Sequence, residues 1–97
     1  MEFFIPKQFQ LFGHTISVVE YTGPLKDHCE FDGLWDMKNK KITLVKDKTS
    51  QGYKEAVYLH EVVHCILDHI GKEDLSKDED FVDTFAQALH QILTTSK

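Results

Sequence analysis

One stretch constrains this chain more than any other: an amphipathic helical pattern that carries a histidine pair. Ala56, Leu59, Val63, Ile66, Leu67 and Ile70 recur at spacings of three and four, so they line one face of a helix. The pattern begins near Tyr53, and Gly71 is a natural residue just past a helix end. His60, Glu61, His64 and Asp68 fall towards the opposite side. Within that face His60-Glu61-Val62-Val63-His64 has the form H-E-x-x-H. Helical residues four apart differ by about 40° in azimuth and by one turn in height. His60 and His64 can therefore aim two imidazoles at one metal ion. Glu61 lies on the flank of the same face. That spacing suits a zinc site with a carboxylate ready to take a proton from bound water.

Composition narrows the remaining possibilities. Ninety-seven residues that are 41% hydrophobic supply one modest core, hence one domain. A formal net charge of -5, with no sizeable lysine cluster, argues against a nucleic-acid partner, which needs a basic face. No apolar run is long enough to span a bilayer. The opening Met-Glu-Phe-Phe-Ile-Pro lacks the basic and long apolar regions of a secretory signal. Two cysteines, Cys29 and Cys65, are too few for a disulfide framework. Cys65 is expected as a small buried thiol inside the helix. The expectation is a cytoplasmic protein with no membrane partner.

Upstream of the helix the pattern is that of strands. Phe9, Leu11, Ile16 and Val18 alternate with polar residues over roughly 8–21, with a bulge or turn at Gly13-His14 and an end at Gly23-Pro24. Residues 25–32 have no clear period. Gly33 to Met37 and the β-branched run Ile42 to Val45 flank Lys38-Asn39-Lys40, which reads as a hairpin turn. Trp35 and Phe31 are expected to anchor that hairpin on the helices. A loop of turn formers occupies Asp47 to Gly52. A second helix is predicted from Ser76 to about Thr94, with Val82, Phe85, Ala86, Leu89 and Leu93 on its apolar face. These elements predict an α+β fold: a small antiparallel sheet packed on two main helices, with the Ile42–Val45 strand at an edge.

Two histidines leave a catalytic zinc site one ligand short. The longer pattern H-E-x-x-H-x-x-G-x-x-H fails here, because Leu67 and Ile70 stand at its glycine and third-histidine positions. His69 is one residue out of register. The second helix offers Glu79 and Asp83, four apart and on one face. Glu79 could bind the metal while Asp83 holds a histidine ligand by a hydrogen bond. Each has a plainer role. Ser76-Lys77-Asp78-Glu79 matches the capping box S-x-x-E, so Glu79 could instead turn back to its own helix start. Asp83 could be a solvated helix acid or a reserve ligand. His90 reads as a surface histidine, and His14 and His28 have no assigned place. Tyr53 and Tyr58 could donate a hydrogen bond to a reacting oxygen, but structural roles suit them better.

H-E-x-x-H on one helix with Glu79-Asp80-Phe81-Val82-Asp83 on the next resembles the gluzincins, the thermolysin-like zinc peptidases. It is most similar to their compact ImmA/IrrE-like members and small phage-encoded zincins. The resemblance covers about Ile42 to Leu93. It implies a single zincin-like domain over 1–97. The implied metal ligands are His60, His64 and Glu79 on zinc (Zn2+), with Asp83 behind them and Glu61 as general base. The implied activity is hydrolysis of peptide bonds in a peptide or protein substrate. An extended substrate would add to the Ile42–Val45 strand. The alternative is a non-catalytic module, stapled by zinc and used for protein interaction, for instance a phage regulatory protein.

Overall fold

The computed structural model describes residues 3–21, 32–45 and 50–96. The predicted first strand is a hairpin of β1 (Gln8–Leu11) and β2 (His14–Tyr21), with Leu11 opposite His14. Its two-residue turn falls at Phe12-Gly13, one residue earlier than expected, and both have positive φ, 51° and 82°. Two positive φ values give a turn whose twist matches that of paired strands. Glycine adopts such a conformation freely and Phe12 does not, so the phenylalanine is carried on the surface.

The second hairpin pairs β3 (Gly33–Asp36) with β4 (Lys41–Val45). The Asp36 carboxylate accepts hydrogen bonds from Asn39 Nδ2 at 2.8 Å and from the Asn39 backbone N–H at 3.1 Å, which closes the loop. Those same bonds hold the Asp36 carboxyl below the usual range.

The four strands are ordered β1-β2-β4-β3. β2 and β4 run parallel, from Ser17 opposite Lys41 to Tyr21 opposite Val45. The sheet is therefore mixed, which corrects the expected all-antiparallel arrangement. It also corrects the position of the Ile42–Val45 strand, which has partners on both sides and is central. Among the described residues, the free edge on that side belongs to β3. Alternation along Ile42 and Leu44 states which face is buried but carries no information about which strand lies alongside.

α1 (Gln51–His69) packs across one face of the sheet. It starts two residues before the predicted point, because the Ser50 hydroxyl caps it by accepting from the Tyr53 N–H at 3.2 Å. It ends as expected at Gly71, whose φ is 77°. The Lys72 N–H bonds the Leu67 carbonyl across that turn at 2.8 Å. Leu59, Val63, Cys65 and Leu67 meet Ile16, Val18, Ile42 and Leu44 in the core. Ile70 was expected in this face and is exposed, since the helix has turned away by then. Burial pushes the Cys65 thiol up to about 11, in keeping with an inert buried thiol. Cys29, His28 and Phe31 lie outside the described residues.

A single helix from Ser76 is not what forms. A four-residue helix α2 (Glu73–Ser76) precedes α3 (Glu79–Thr95), and the cap of α3 is Asp78, whose Oδ1 accepts from the Phe81 N–H at 3.1 Å. α3 lies antiparallel to α1, burying Val82 and Ala86 against it. Phe85 and Leu93, expected in the core, are exposed at 48% and 39%. Among the described residues nothing is layered over the outer side of α3, so only a narrow stripe of the helix is covered. No helix of the described residues is long and apolar enough to cross a membrane.

Candidate metal centre

The antiparallel seam between α1 and α3 brings His60, His64 and Glu79 together. His60 Nε2 and His64 Nε2 are 3.2 Å apart. Glu79 Oε2 lies 3.3 Å from His60 Nε2, and Glu79 Oε1 lies 3.1 Å from His64 Nε2. A tetrahedral ion with bonds of about 2.0–2.1 Å separates its ligands by about 3.3–3.4 Å. The two imidazole nitrogens stand at about that separation, and each has a different Glu79 oxygen at a similar distance. Among the described residues this is the group of metal-binding type whose donor atoms all lie within 4.8 Å of one another. Two imidazoles and a carboxylate suit zinc.

Glu79 is free to do this because it does not cap its own helix. Asp78 fills that role, and Ser76 has been drawn elsewhere. Ser76 is buried, and its Oγ lies 2.8 Å from His64 Nδ1. A proton on Nδ1 donated to this hydroxyl leaves the Nε2 lone pair directed at the other two donors. The S-x-x-E signature thus pointed to two residues that matter, but for the wrong reason. No signal in the sequence separates a capping serine from one that orients a histidine across a turn.

Asp83 stands behind His60, with Oδ1 3.6 Å from Nδ1. That is within ion-pair reach and too long for a hydrogen bond. Its other oxygen accepts from Gln87 Nε2 at 2.9 Å. Burial pulls the pKa of His64 down, which keeps the ring neutral and its lone pair available, although Glu79 pulls the other way.

Glu61 sits beside this group, under β3. Burial pushes its carboxyl up to about 7; the neighbouring His60 opposes this, Glu79 adds to it, and the Trp35 backbone N–H opposes it by hydrogen bonding. That places a carboxylate near the basicity that proton transfer at neutral pH requires. Gly33 permits this closeness. A Cβ there would stand 2.6 Å from Val57 Cγ1 and 3.4 Å from Glu61 Cγ. The β3 backbone can lie on α1 only because that position has no side chain.

Two depressions open on either flank of His60 and Glu61. One, of about 480 Å³, is lined by Leu34, Trp35, His64 and Glu79. The other, of about 290 Å³, is lined by Asp32, Tyr53, Ala56, Val57 and Asp83. Gly33 borders both. Trp35 is fixed by a 3.0 Å bond from its Nε1–H to Asp68 Oδ2, anchoring the hairpin to α1 as anticipated.

The other described histidines and tyrosines do not join the His60, His64 and Glu79 group. His69 faces the sheet, stacked near His14 and Trp35, with Nδ1 2.7 Å from the Cys65 carbonyl. His90 is not a free surface histidine. Its Nε2 lies 2.9 Å from Oε1 of the buried Glu55. Tyr58 is in the core between Phe3 and Phe9, and burial pushes its phenol up to about 12. Tyr53 lines the smaller depression and donates to Asp32 Oδ2 at 2.6 Å.

No family model matches the chain, and comparisons with curated proteins and with solved structures give no match either.

Proposed function

We propose that this protein is a zinc-dependent peptidase, with His60, His64 and Glu79 as the metal ligands. The observation that supports the reading is the convergence of His60 Nε2, His64 Nε2 and the two Glu79 carboxylate oxygens, with one ligand atom from each residue within 4.8 Å of the others, beside the carboxyl of Glu61. A zinc ion held by these three residues would supply a polarised water of lowered pKa and an electrophile for a carbonyl. Glu61 takes the proton from the attacking water and returns it to the leaving amine. Ser76 keeps His64 in the required tautomer.

The substrate would add to β3, the free edge, rather than to β4. The Val45 N–H bonds the Asp32 carbonyl at 2.9 Å, so Asp32 and every second residue after it face β4. Gly33 and Trp35 therefore turn their backbone groups outwards. The Trp35 N–H reaches Glu61, and the Gly33 groups remain to align an extended peptide across the site.

The test is Glu61→Gln. Zinc content by elemental analysis is expected to match the parent, with peptide hydrolysis reduced by about 10²–10⁴-fold. Equal hydrolysis by both proteins removes Glu61 from the mechanism. Zinc binding with no hydrolysis by either supports the other reading, in which the metal only staples α1 to α3.

A further inference from the structure

The smaller depression beside the metal centre has a chemistry of its own. Its floor is apolar, made by Ala56 and Val57. Its rim carries the carboxylates of Asp32 and Asp83, with the Tyr53 hydroxyl between the two helices and the edge strand. The charge of both carboxylates is felt at one point, since Asp32 and Asp83 each push the Tyr53 phenol upwards. Asp32 accepts from the Tyr53 hydroxyl, Asp83 accepts from Gln87 and lies 3.6 Å from His60, and among the described residues no lysine pairs with either. An apolar floor under an acidic rim matches a long aliphatic stem that ends in a cation. The opposite flank, with Leu34 and Trp35, offers a mainly apolar wall. The site is thus polarised along β3, basic-seeking at one end and apolar at the other.

We infer that the substrate places a lysine or arginine side chain in the cavity formed by Tyr53, Asp32, Asp83, Ala56 and Val57. This rests on the peptidase reading for the word substrate, but not for the binding itself. A peptide paired with the outward backbone groups of Gly33 directs alternate side chains to one face, so one of them falls at this cavity. The carboxylates fix its charge and the floor fixes its length.

Two measurements on the zinc-loaded full chain separate the inference from the reading beneath it. The first follows backbone amide resonances of Asp32, Gly33 and Tyr53 during titration with Nα-acetyl-lysine amide or its uncharged counterpart, Nα-acetyl-norleucine amide. The lysine compound is expected to bind on the order of tenfold more tightly at low salt, with the preference shrinking as salt is raised. Asp32→Asn is expected to lower that preference several-fold, whereas Tyr53→Phe, which keeps both carboxylates, retains it. Equal binding of the two compounds, or a preference undiminished by Asp32→Asn, overturns the inference. The second measurement maps cleavage of a randomised peptide pool by mass spectrometry. Lysine or arginine is expected at one fixed position relative to the broken bond. Cleavage with no basic preference overturns the inference and leaves the peptidase standing. Absence of Glu61-dependent cleavage sinks the peptidase, and the first measurement still decides the cavity.

Discussion

The seam between α1 and α3 carries two histidine–carboxylate meetings, and they differ in kind. At one end Glu55 reaches across to His90 at 2.9 Å, and its second oxygen accepts from Gln51 Nε2 at 3.3 Å. Both oxygens are used, and a single imidazole is present. That is a closed pair, in which a buried acid is satisfied by its neighbours. At the other end two imidazoles and Glu79 converge nitrogen to nitrogen and nitrogen to oxygen, around a shared point. The residue types are the same. What sets the second meeting apart is the number of lone pairs that meet and the cavity that opens beside them.

The largest expected contrast between the two ends is in zinc affinity. Glu79→Ala is expected to weaken zinc binding by more than the about 10–100-fold typical of a lost outer partner, and Ser76→Ala by an amount within that range. Asp83→Ala should do less than Glu79→Ala, and His90→Ala should do nothing. Competition with a chromophoric chelator reads all four. A larger effect of Asp83→Ala than of Glu79→Ala reassigns the third ligand.

Next in size is the edge strand. Gly33→Ala forces a Cβ to within 2.6 Å of Val57 Cγ1, the end of a short branched side chain with little freedom to yield. Displacing β3 from α1 is expected to lower stability by about 1–3 kcal/mol. A shift of the strand by about 1 Å should also reduce turnover on the order of 100-fold. Urea denaturation and peptide hydrolysis check the two effects, and zinc content should stay the same because all three ligands are on helices.

The closed pair should show the opposite profile. His90→Ala leaves the buried Glu55 without its partner and is expected to lower stability by about 1–3 kcal/mol, with zinc affinity unchanged. A loss of zinc with no loss of stability would mean that the seam acts as one unit.

A further contrast is a dependence on pH. Glu61 is raised from 4.5 to about 7, so the folded chain holds its proton more tightly than the unfolded chain does. The associated stability is fully present below pH 4.5 and is lost as pH rises through about 7. In the presence of a chelator, the gap in urea midpoint between parent and Glu61→Gln should therefore widen in favour of the variant from pH 4.5 to pH 8. A gap that does not change with pH would place Glu61 in contact with water.

Much of this molecule was legible from the order of its residues. The 3.6-residue period from Ala56 onwards fixed α1 and the common side of His60 and His64, because helical azimuth is a local property. The alternation in Phe9–Val18 and the β-branched run at Ile42 marked extended chain for the same reason, although the first of these is a hairpin of two strands and not one strand. Gly71 ended α1 because only a residue tolerant of positive φ completes that turn easily. Whether Glu79 turns to the two histidines or back to its own helix start could not be read locally. It depended on Asp78 taking the cap and on α2 turning Ser76 towards His64, which are consequences of how the helices pack. Strand order was likewise out of reach. A strand with one buried face has the same alternating pattern at an edge or in the middle, so the central place of β4 and the free edge of β3 follow only from the assembled sheet. The sequence by itself determined that His60, Glu61 and His64 share one helical face. The tertiary structure decided what completes that face: Glu79 and Ser76 from beyond α1, and the bare backbone of Gly33 laid against it, because each is brought there by a contact between residues distant in the chain.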